Sequence, residues 1–505
     1  MDNGQRNPKL ILKNSTYLFL RLGVSLFIAF YTTRLTLQVL GDVDYGINSI
    51  VGGIIAMFAV ISLPIVNSLQ RFFNVEFSKK DIDPNIVFNT ALRIILLLTV
   101  VMLLLYETIG LFFILNVIDY PVDRKSAVIA IFHIGALSSA ISFLIIPFTA
   151  LLFSKENMGV PATIGIIDSV LKFLLLIAIP YVPLDSLVLF SIIQLFLFIG
   201  ELIFYWSYCK HLYPYIFFVK KYDLVLGKKM LSFSGWNIIE SAATISITYI
   251  SNIFVNVFGG VLYNTAYGLA KQLNSALMAF TMNVLKAVEP QITTATVAQD
   301  DKYRNQLLLT TIKTTMIGMG FIFLVFNFYG SFLLELWLKH VPDYSLWFCE
   351  LFLLSSIFTS VFLPLRSLIL AIGNVRNFFI AYGTVSLVLL FLMFLLLRNG
   401  LPVEWIMIMQ CVNALAILLL SISTVSKESS LKTKTIIFVF FRCLMVLIIT
   451  AMPFELIIHF GKFEIFLSLL LSCLTSIPVL LFSMYVILLN KIEKEAIHNY
   501  ILEKF

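Results

Sequence analysis

Charged side chains inside long apolar runs are the residues of this sequence best placed to do chemistry. A charge at bilayer depth costs about 2.5–3.5 kcal/mol on insertion scales and needs a compensating role. Arg21 and Arg34 lie thirteen residues apart in one such run, about 20 Å along a helix. They are either one arginine at each membrane surface or two contacts for phosphate, which the planar guanidinium binds bidentately. Lys313 and Arg366, in later runs, extend the basic set.

A polar helix face on the run 231–257 is a second candidate. Its members recur at steps of three or four residues and are Asn237, Ser241, Thr244, Thr248 and Ser251. Such a face forms hydrogen bonds between helices or lines a wet cavity, and the neighbouring Glu240 favours the cavity. Lys271 and Asn274 share a face of the next run. Glu240 and Lys271 are opposite charges that either stay paired or separate to bind ions or phosphate.

Asp168 and Lys172 lie four residues apart in another apolar run. Acid first and lysine four later is the favoured helical pairing, so the two residues insert together at lower cost than apart. They are either a self-neutralised structural pair or a site at which H+ or Na+ couples to function.

Patterns of catalysis and metal binding are missing from the sequence. The five histidines are scattered, no two of the five cysteines have metal-ligand spacing, and there is no glycine-rich phosphate loop followed by lysine. We therefore expect no enzyme, no metal and no cofactor, with H+ or Na+ as the coupling ion.

The elements that position these residues are membrane-spanning helices. Of 505 residues, 60% are hydrophobic and 12% are charged, against about 25% charged in soluble domains. Mean hydropathy is +0.97, which excludes a soluble enzyme, a disordered protein and a nucleic-acid-binding domain. We predict an all-α polytopic membrane protein of about fourteen spans. These are 15–38, 46–73, 87–116, 126–152, 159–180, 184–208, 231–257, 262–287, 306–335, 345–372, 377–397, 403–425, 436–458 and 464–489.

The distribution of Lys and Arg predicts the orientation. With a cytoplasmic N-terminus, 20 of them fall in cytoplasmic segments and 5 in the opposite loops. The positive-inside rule then places both termini in the cytoplasm, which requires an even number of spans. The net charge of +7 is explained by these loops and not by a nucleic-acid partner.

An internal repeat divides the chain. Five residues of 31–45 recur 218 positions later in 249–263, among them Gly41 and Gly259, and Pro147 recurs at Pro364. The period covers six spans, so the halves share an orientation, as in transporters built from parallel repeats. We predict a six-helix lobe at 1–210, a basic cytoplasmic linker at 211–230, a second lobe at 231–425, two additional spans within 436–489 and a cytoplasmic tail at 490–505. Pro64, Pro147 and Pro364 are expected to kink or hinge their helices.

The opening of the chain resembles a known family. The segments that carry the resemblance are Tyr31-Thr-Thr-Arg34, Leu40-Gly41, Asp44-Tyr45-Gly46, Gln70-Arg71-Phe72 and Glu76 before Lys79-Lys80-Asp81. They are similar to bacterial polysaccharide-biosynthesis membrane proteins, the oligosaccharide-lipid flippases of the multidrug/oligosaccharidyl-lipid/polysaccharide (MOP) superfamily. The similarity is most specific over about residues 12–85.

The resemblance implies two V-shaped six-helix lobes around a cavity in the cytoplasmic membrane of a bacterium. Its implied substrate is an undecaprenyl-pyrophosphate-linked oligosaccharide, flipped outward by alternating access for surface polysaccharide assembly. Arg34 lies within the matching motif, and Asn252 is its counterpart in the second half. The implied partners are the lipid-linked oligosaccharide and membrane lipids, with a polysaccharide polymerase and glycosyltransferases, and no nucleic acid.

Other functions stay open at this point. A cation-coupled multidrug antiporter predicts an acidic cavity, against which the basic residues inside the spans argue. A lipid II flippase shares the length and span number. A non-transporting scaffold or a polysaccharide polymerase is the alternative of another class, but a polymerase is expected to carry a large outward loop, and the outward loops here are short.

Overall fold

A computed structural model describes most of the chain. The described backbone comprises residues 8–59, 83–155, 159–213, 222–373, 376–461 and 463–489, with isolated residues at 62, 65, 66, 68–70, 72, 73, 157 and 494. Within these, side chains are described except at 8–27, 232–248, 287, 290 and 297. Several predicted residues therefore lie, as side chains or entirely, outside the described residues: Arg21, Pro64, Arg71, Asn237, Glu240, Ser241, Thr244 and Thr248.

The described residues form helices and no strands, because an apolar segment in lipid must satisfy its backbone hydrogen bonds internally. The first half has α1 (Pro8–Ala59), α2 (Pro84–Leu105), a π-helical turn (Tyr106–Gly110), α3 (Leu111–Asn116), α4 (Lys125–Ser154), α5 (Gly159–Ala178) and α6 (Ser186–Leu212). The second has α7 (Leu224–Gly259), α8 (Val261–Val297), α9 (Asp301–Leu338), α10 (Ser345–Ile372), α11 (Arg376–Arg398), α12 (Trp405–Glu428), α13 (Thr433–Phe460) and α14 (Ile465–Ser483), the last followed by a π-helical turn (Met484–Leu488).

The predicted fold class is confirmed: the chain is an all-α polytopic membrane protein. Eleven helical segments within the described residues are long and apolar enough to cross a membrane. The sequence predicted about fourteen. One difference arises in α1, which counts once although it contains the first predicted span and part of the second. Another arises in α8, which is not among the eleven because polar residues interleave along its length. The third arises in α7, of which only Tyr249–Gly259 enters the comparison, because side chains 232–248 are not described.

Two glycines mark equivalent breaks between consecutive helical segments. Gly41 interrupts α1 with φ 75° and ψ 172°, and Gly260 separates α7 from α8 with φ 81° and ψ −173°. This region of backbone space is essentially restricted to glycine. The repeat predicted Gly259 as the counterpart of Gly41, but the structure gives this conformation to Gly260, one residue later.

Further elements recur in the two halves. Asp83 caps the N-terminus of α2 and Asp300 caps that of α9, each through its carboxylate. Pro147 lies inside α4 and Pro364 inside α10, and both helices continue through their proline. The helix order of the first half is thus repeated in the second.

By packing, the chain divides into unit 1 (Met1–Gly268) and unit 2 (Leu269–Phe505). In unit 1, helices α1, α2, α4 and α6 enclose a core that includes the fully buried Ile50, Ile54, Phe132 and Phe143. The predicted lobes at 1–210 and 231–425 were defined by the sequence repeat and stay a prediction.

The two additional helices pack within unit 2. Phe454 of α13 stacks on Phe328 of α9 at 5.4 Å between ring centroids. The hydroxyl of Tyr329, at a non-helical point of α9, forms hydrogen bonds of 2.8 and 2.7 Å with Ser468 and Ser472 of α14. In an apolar medium such bonds between helices hold α14 against α9.

Candidate functional site

Three basic residues lie at different depths on neighbouring helices of unit 2. Lys271 is ten residues into α8, about 15 Å from the predicted outer end. Lys313 is twelve residues into α9, about 18 Å from the predicted inner end, and Arg366 is about 9 Å from that end of α10. The predicted set therefore forms a series of positive charges through the membrane-spanning part of this unit.

Hydrogen bonds to α10 connect the helices that carry these charges. The Ser356 hydroxyl donates to Oδ1 of Asn274 at 2.5 Å, which joins α10 to α8 one turn from Lys271. The Thr315 hydroxyl donates to the carbonyl oxygen of Ser360 at 2.8 Å, which joins α10 to α9 close to Lys313. Asn274, for which a substrate contact was predicted, forms a contact between helices.

The surroundings of the three cations differ. Lys313 is 5% exposed, and the thiol of Cys443 on α13 lies within its electrostatic reach. Lys271 and Arg366 are half-buried, and Arg366 interacts electrostatically with Tyr382 of α11. Because a low dielectric strengthens charge interactions, cations at successive depths favour an anionic group at each depth.

Of the two arginines predicted in the first apolar run, Arg34 has a described side chain. Arg34 is half-buried, seven residues before the break at Gly41. Arg21 has no described side chain, so the pairing of two arginines by depth stays a prediction. The predicted pair of Glu240 with Lys271 also stays a prediction, because the side chain of Glu240 is not described. Asn252, compared with Arg34, is 2% exposed and donates to the carbonyl oxygen of Ser49 at 3.3 Å.

A buried asparagine network joins α7 to α8 around the Gly260 break. Asn256 binds the loop between α3 and α4. Its Oδ1 accepts from the Asp119 backbone N–H at 2.7 Å, and its Nδ2 donates to the Asp119 carbonyl at 3.0 Å. Nδ2 also donates to Asn264 Oδ1 at 2.7 Å, and Asn264 donates to Asn252 Oδ1 at 2.8 Å.

The predicted pair on α5 is half-buried. Asp168 interacts electrostatically with Lys172, as the spacing predicts, and the Lys172 ammonium lies 5.4 Å from the centroid of the Phe190 ring on α6. Its proposed role in ion coupling stays a prediction.

An ion-pair cluster that the sequence did not predict lies at the predicted outer end of unit 1. Arg124 donates to Asp44 through Nε at 2.9 Å and to Asp185 through Nη1 at 2.5 Å. Asp185 also caps α6 by accepting from the N–H groups of Leu187 and Val188. The hydrogen bond from Arg124 lowers the pKa of Asp185. The cluster ties α1, α4 and α6 together.

A second missed pair joins the π-helical turn to α4. His133 Nδ1 lies 3.0 Å from Glu107 Oε1. The two residues lie nine residues before Asn116 and eight after Lys125, so they are at matching depths from the same predicted outer loop. That matching distance was the available sequence signal.

Comparison with known proteins finds the fold of transporters. No family model matches the sequence, and no curated protein sequence matches it. Among solved structures, an inward-facing multidrug-resistance MATE family transporter of the MOP superfamily aligns with a TM-score of 0.67 at 13% identity, covering 81% of this chain and 98% of that one. The lipid II flippase MurJ, in an inward closed conformation, aligns with a TM-score of 0.68 at 14% identity, covering 94% and 98%.

A third solved structure bears on charge. It is a MOP superfamily transporter from Pyrococcus furiosus, described by a reverse polarity of its binding pocket that suggests a different function. It aligns with a TM-score of 0.53 at 14% identity and covers 82% of this chain and 96% of that one. The chain thus has the fold of MOP superfamily transporters.

Proposed function

We propose that this protein is a flippase that moves an undecaprenyl-pyrophosphate-linked oligosaccharide across the bacterial cytoplasmic membrane by alternating access, for surface polysaccharide assembly. The observation that carries the proposal is the series of Lys271, Lys313 and Arg366 at three depths of unit 2. The fold shared with a lipid II flippase supports movement of a lipid-linked substrate.

The physical problem of flipping such a lipid is the head group. A pyrophosphate and its sugars lose their hydration in hydrocarbon, whereas the polyprenyl tail remains in the bilayer throughout. A charged hydrogen bond contributes about 1.5–3 kcal/mol, so successive Lys and Arg side chains lower the cost at each depth. Arginine suits a phosphate because its planar fork donates two parallel hydrogen bonds.

Energy input comes from a cation gradient, with H+ or Na+ as the coupling ion. Both termini are cytoplasmic in this proposal, and the oligosaccharide is loaded from the inner leaflet. A polysaccharide polymerase and glycosyltransferases are the expected neighbours, since they consume and produce the lipid-linked unit.

The test uses the purified full chain in proteoliposomes that contain an undecaprenyl-pyrophosphate-linked oligosaccharide. The readout is the fraction of oligosaccharide that a membrane-impermeant lectin reaches over time. Lys271→Met and Arg366→Gln are each expected to slow flipping by about 10- to 100-fold, the equivalent of one charged hydrogen bond. The matched control is Arg442→Gln, because Arg442 of unit 2 stacks on the exposed ring of Phe438 at 4.1 Å. Equal flipping rates in the native chain and in all three variants would contradict the assignment of Lys271 and Arg366 to the substrate path.

The alternatives give different results in the same vesicles. A multidrug antiporter accumulates an organic cation and ignores the oligosaccharide lipid. A lipid II flippase moves lipid II and is not inhibited by excess oligosaccharide lipid that lacks the peptide. The basic series favours the pyrophosphate substrates over the organic cation.

A further inference from the structure

Glu107 and His133 form an acid–imidazole pair at membrane depth. His133 Nδ1 lies 3.0 Å from Glu107 Oε1, and the side chains are 43% and 47% exposed. Nine residues separate Glu107 from the end of α3, and eight separate His133 from the start of α4, so the pair lies about 12–13 Å from the helix ends. An ionisable residue at this depth marks a functional site by default.

The π-helical turn that carries Glu107 is held against α4 at both of its ends. The hydroxyl of Tyr106 donates to the Ile55 carbonyl at 3.1 Å and accepts from the Ser139 hydroxyl at 2.8 Å. At the other end, a Cβ on Gly110 would lie 2.8 Å from the ring of Phe132, so a larger residue there would require the ring to shift. Single π-helical turns are frequent at functional sites. The wide turn fixes Glu107 opposite His133.

We propose that Glu107 and His133 together bind the proton that drives the transport cycle. The role of the pair in driving transport rests on the proposed function, whereas proton binding by the pair does not. In the empty site the Glu107 carboxylate is ionised and the imidazole is neutral, with Nδ1–H donated to Oε1. The incoming proton binds at Nε2, and the net charge of the pair changes from −1 to 0 while the Nδ1–H bond is retained.

The change of net charge supplies the coupling rule. A site of charge −1 at bilayer depth is unfavourable unless water reaches it, whereas the neutral, proton-loaded pair tolerates hydrocarbon. The pair therefore loads a proton where water enters from the more acidic side and releases it where water enters from the other side. This differs from the sequence-based prediction, which placed coupling at Asp168 and Lys172.

Other charged groups on the elements packed around the pair are engaged elsewhere or lie far along their helices. Asp44 of α1 is bound by Arg124. Arg124 precedes His133 by nine residues, or about 13 Å along the helix. Arg93 of α2 precedes Glu107 by about 21 Å and lies over the Tyr222 ring. The remaining charged or imidazole side chains described on α1, α4, α5, α6 and the turn before α4 are Arg34, Asp42, Asp123, Lys125, Asp168, Lys172, Glu201, Lys210 and His211.

Proton uptake by the detergent-solubilised full chain tests the site without any substrate. A dye records the protons bound when the pH falls from about 8 to about 5, the range in which histidines titrate. Glu107→Gln removes no histidine and keeps an acceptor for Nδ1–H, yet it is expected to lower uptake by about one proton per chain. The reason is that imidazolium beside a neutral amide leaves a charge of +1 at membrane depth.

Matched variants separate this result from a structural effect. Glu335→Gln, at an exposed glutamate near the predicted outer end of α9, is expected to leave uptake unchanged. Glu107→Asp retains a carboxylate and is expected to keep the proton. His133→Gln alone and the double variant with Glu107→Gln are expected to lose the same single proton. Uptake in Glu107→Gln equal to that of the native chain would overturn the proton site.

Flipping in proteoliposomes under a pH gradient tests the coupling. One pH unit shifts the distribution of a substrate coupled to one proton by up to about tenfold. The native chain and Glu335→Gln are expected to respond to the gradient, and the rate in Glu107→Gln is expected to be independent of it. A gradient response in Glu107→Gln would overturn the coupling role. If the native chain binds the proton but flips no oligosaccharide lipid, the proposed function fails and the proton site stands.

Discussion

Replacement of Asn256 by alanine is expected to destabilise unit 1 by about 2–4 kcal/mol. Asn256 is fully buried and makes three hydrogen bonds, two to the Asp119 backbone and one to Asn264. A buried polar group left without a partner costs about 1–3 kcal/mol. Asp119 is exposed, so water replaces part of what its backbone loses, and the unpaired Oδ1 of the buried Asn264 accounts for the larger share of the expected loss.

The expected consequence is more frequent opening of unit 1 alone. A loss of about 2–4 kcal/mol of stability raises the equilibrium constant for opening of unit 1 by about 30- to 1,000-fold. Cys209 is fully buried in unit 1 and Cys349 is fully buried in unit 2, so their alkylation rates report the two units separately. When alkylation is slow relative to closing, the rate follows the population of the open form.

Mass spectrometry of the alkylated protein then distinguishes the outcomes. Asn256→Ala is expected to accelerate labelling of Cys209 by at least about 30-fold and to leave Cys349 unchanged. The matched control is Asn116→Ala, because Asn116 is exposed and donates only to Phe112 of its own helix. Equal labelling of Cys209 in the two variants would show that the hydrogen bonds of Asn256 do not stabilise unit 1.

Three other perturbations have expected outcomes of known sign. Gly41→Ala is expected to lower the midpoint of thermal unfolding, since alanine at φ 75° costs about 1–3 kcal/mol of stability. Gly52→Ala, where a Cβ meets nothing within 4 Å, is expected to add about 0.4–1 kcal/mol of stability and to raise the midpoint. Asp185→Asn keeps the helix cap but loses the charge that Arg124 binds, and it is expected to cost under about 1 kcal/mol in chemical unfolding at neutral pH. The pKa of Asp185 is lowered in the fold, so this difference in stability between the variant and the native chain is present above about pH 4. It is expected to vanish as the pH falls through the lowered pKa, and a difference that persists in acid would contradict the ion pair. Tyr329→Phe removes both hydrogen bonds to α14 and is expected to speed amide hydrogen exchange in α14 but not in α12, and equal exchange in both would refute the contact.

The helices of this protein were predictable because their signal is local. The run predicted at 345–372 coincides with α10, Ser345–Ile372, and the run at 159–180 agrees closely with α5. Long apolar segments leave the backbone no alternative to a helix in lipid, so composition alone determines the fold class.

The partners of polar residues were not predictable, because they are far apart in sequence. Asn256 binds a backbone 137 residues away, and Tyr106 binds a carbonyl 51 residues away. Glu107 was overlooked because a single acid in an apolar run resembles a residue that reaches the membrane surface. Its significance depends on the π-helical turn and on His133, which no helical periodicity indicates.

The basic series of unit 2 was predicted in part. Residue type and approximate depth identified Lys271, Lys313 and Arg366, and the structure places them on helices joined through α10. Burial was not predictable: Lys313 is 5% exposed, whereas the other two are half-buried. The difference depends on how α9 and α13 pack, which spacing along one helix does not encode.

Gly41 and Gly260 are the most useful reference points for comparing the two predicted halves. Each forms a corner that any side chain would strain, so drift in the surrounding sequence cannot erase either of them without a loss of stability. The two predicted halves thus share a backbone landmark even where their side chains do not match. Alignments of this chain to remote proteins are best anchored at these two corners, with one residue of slack ahead of the second.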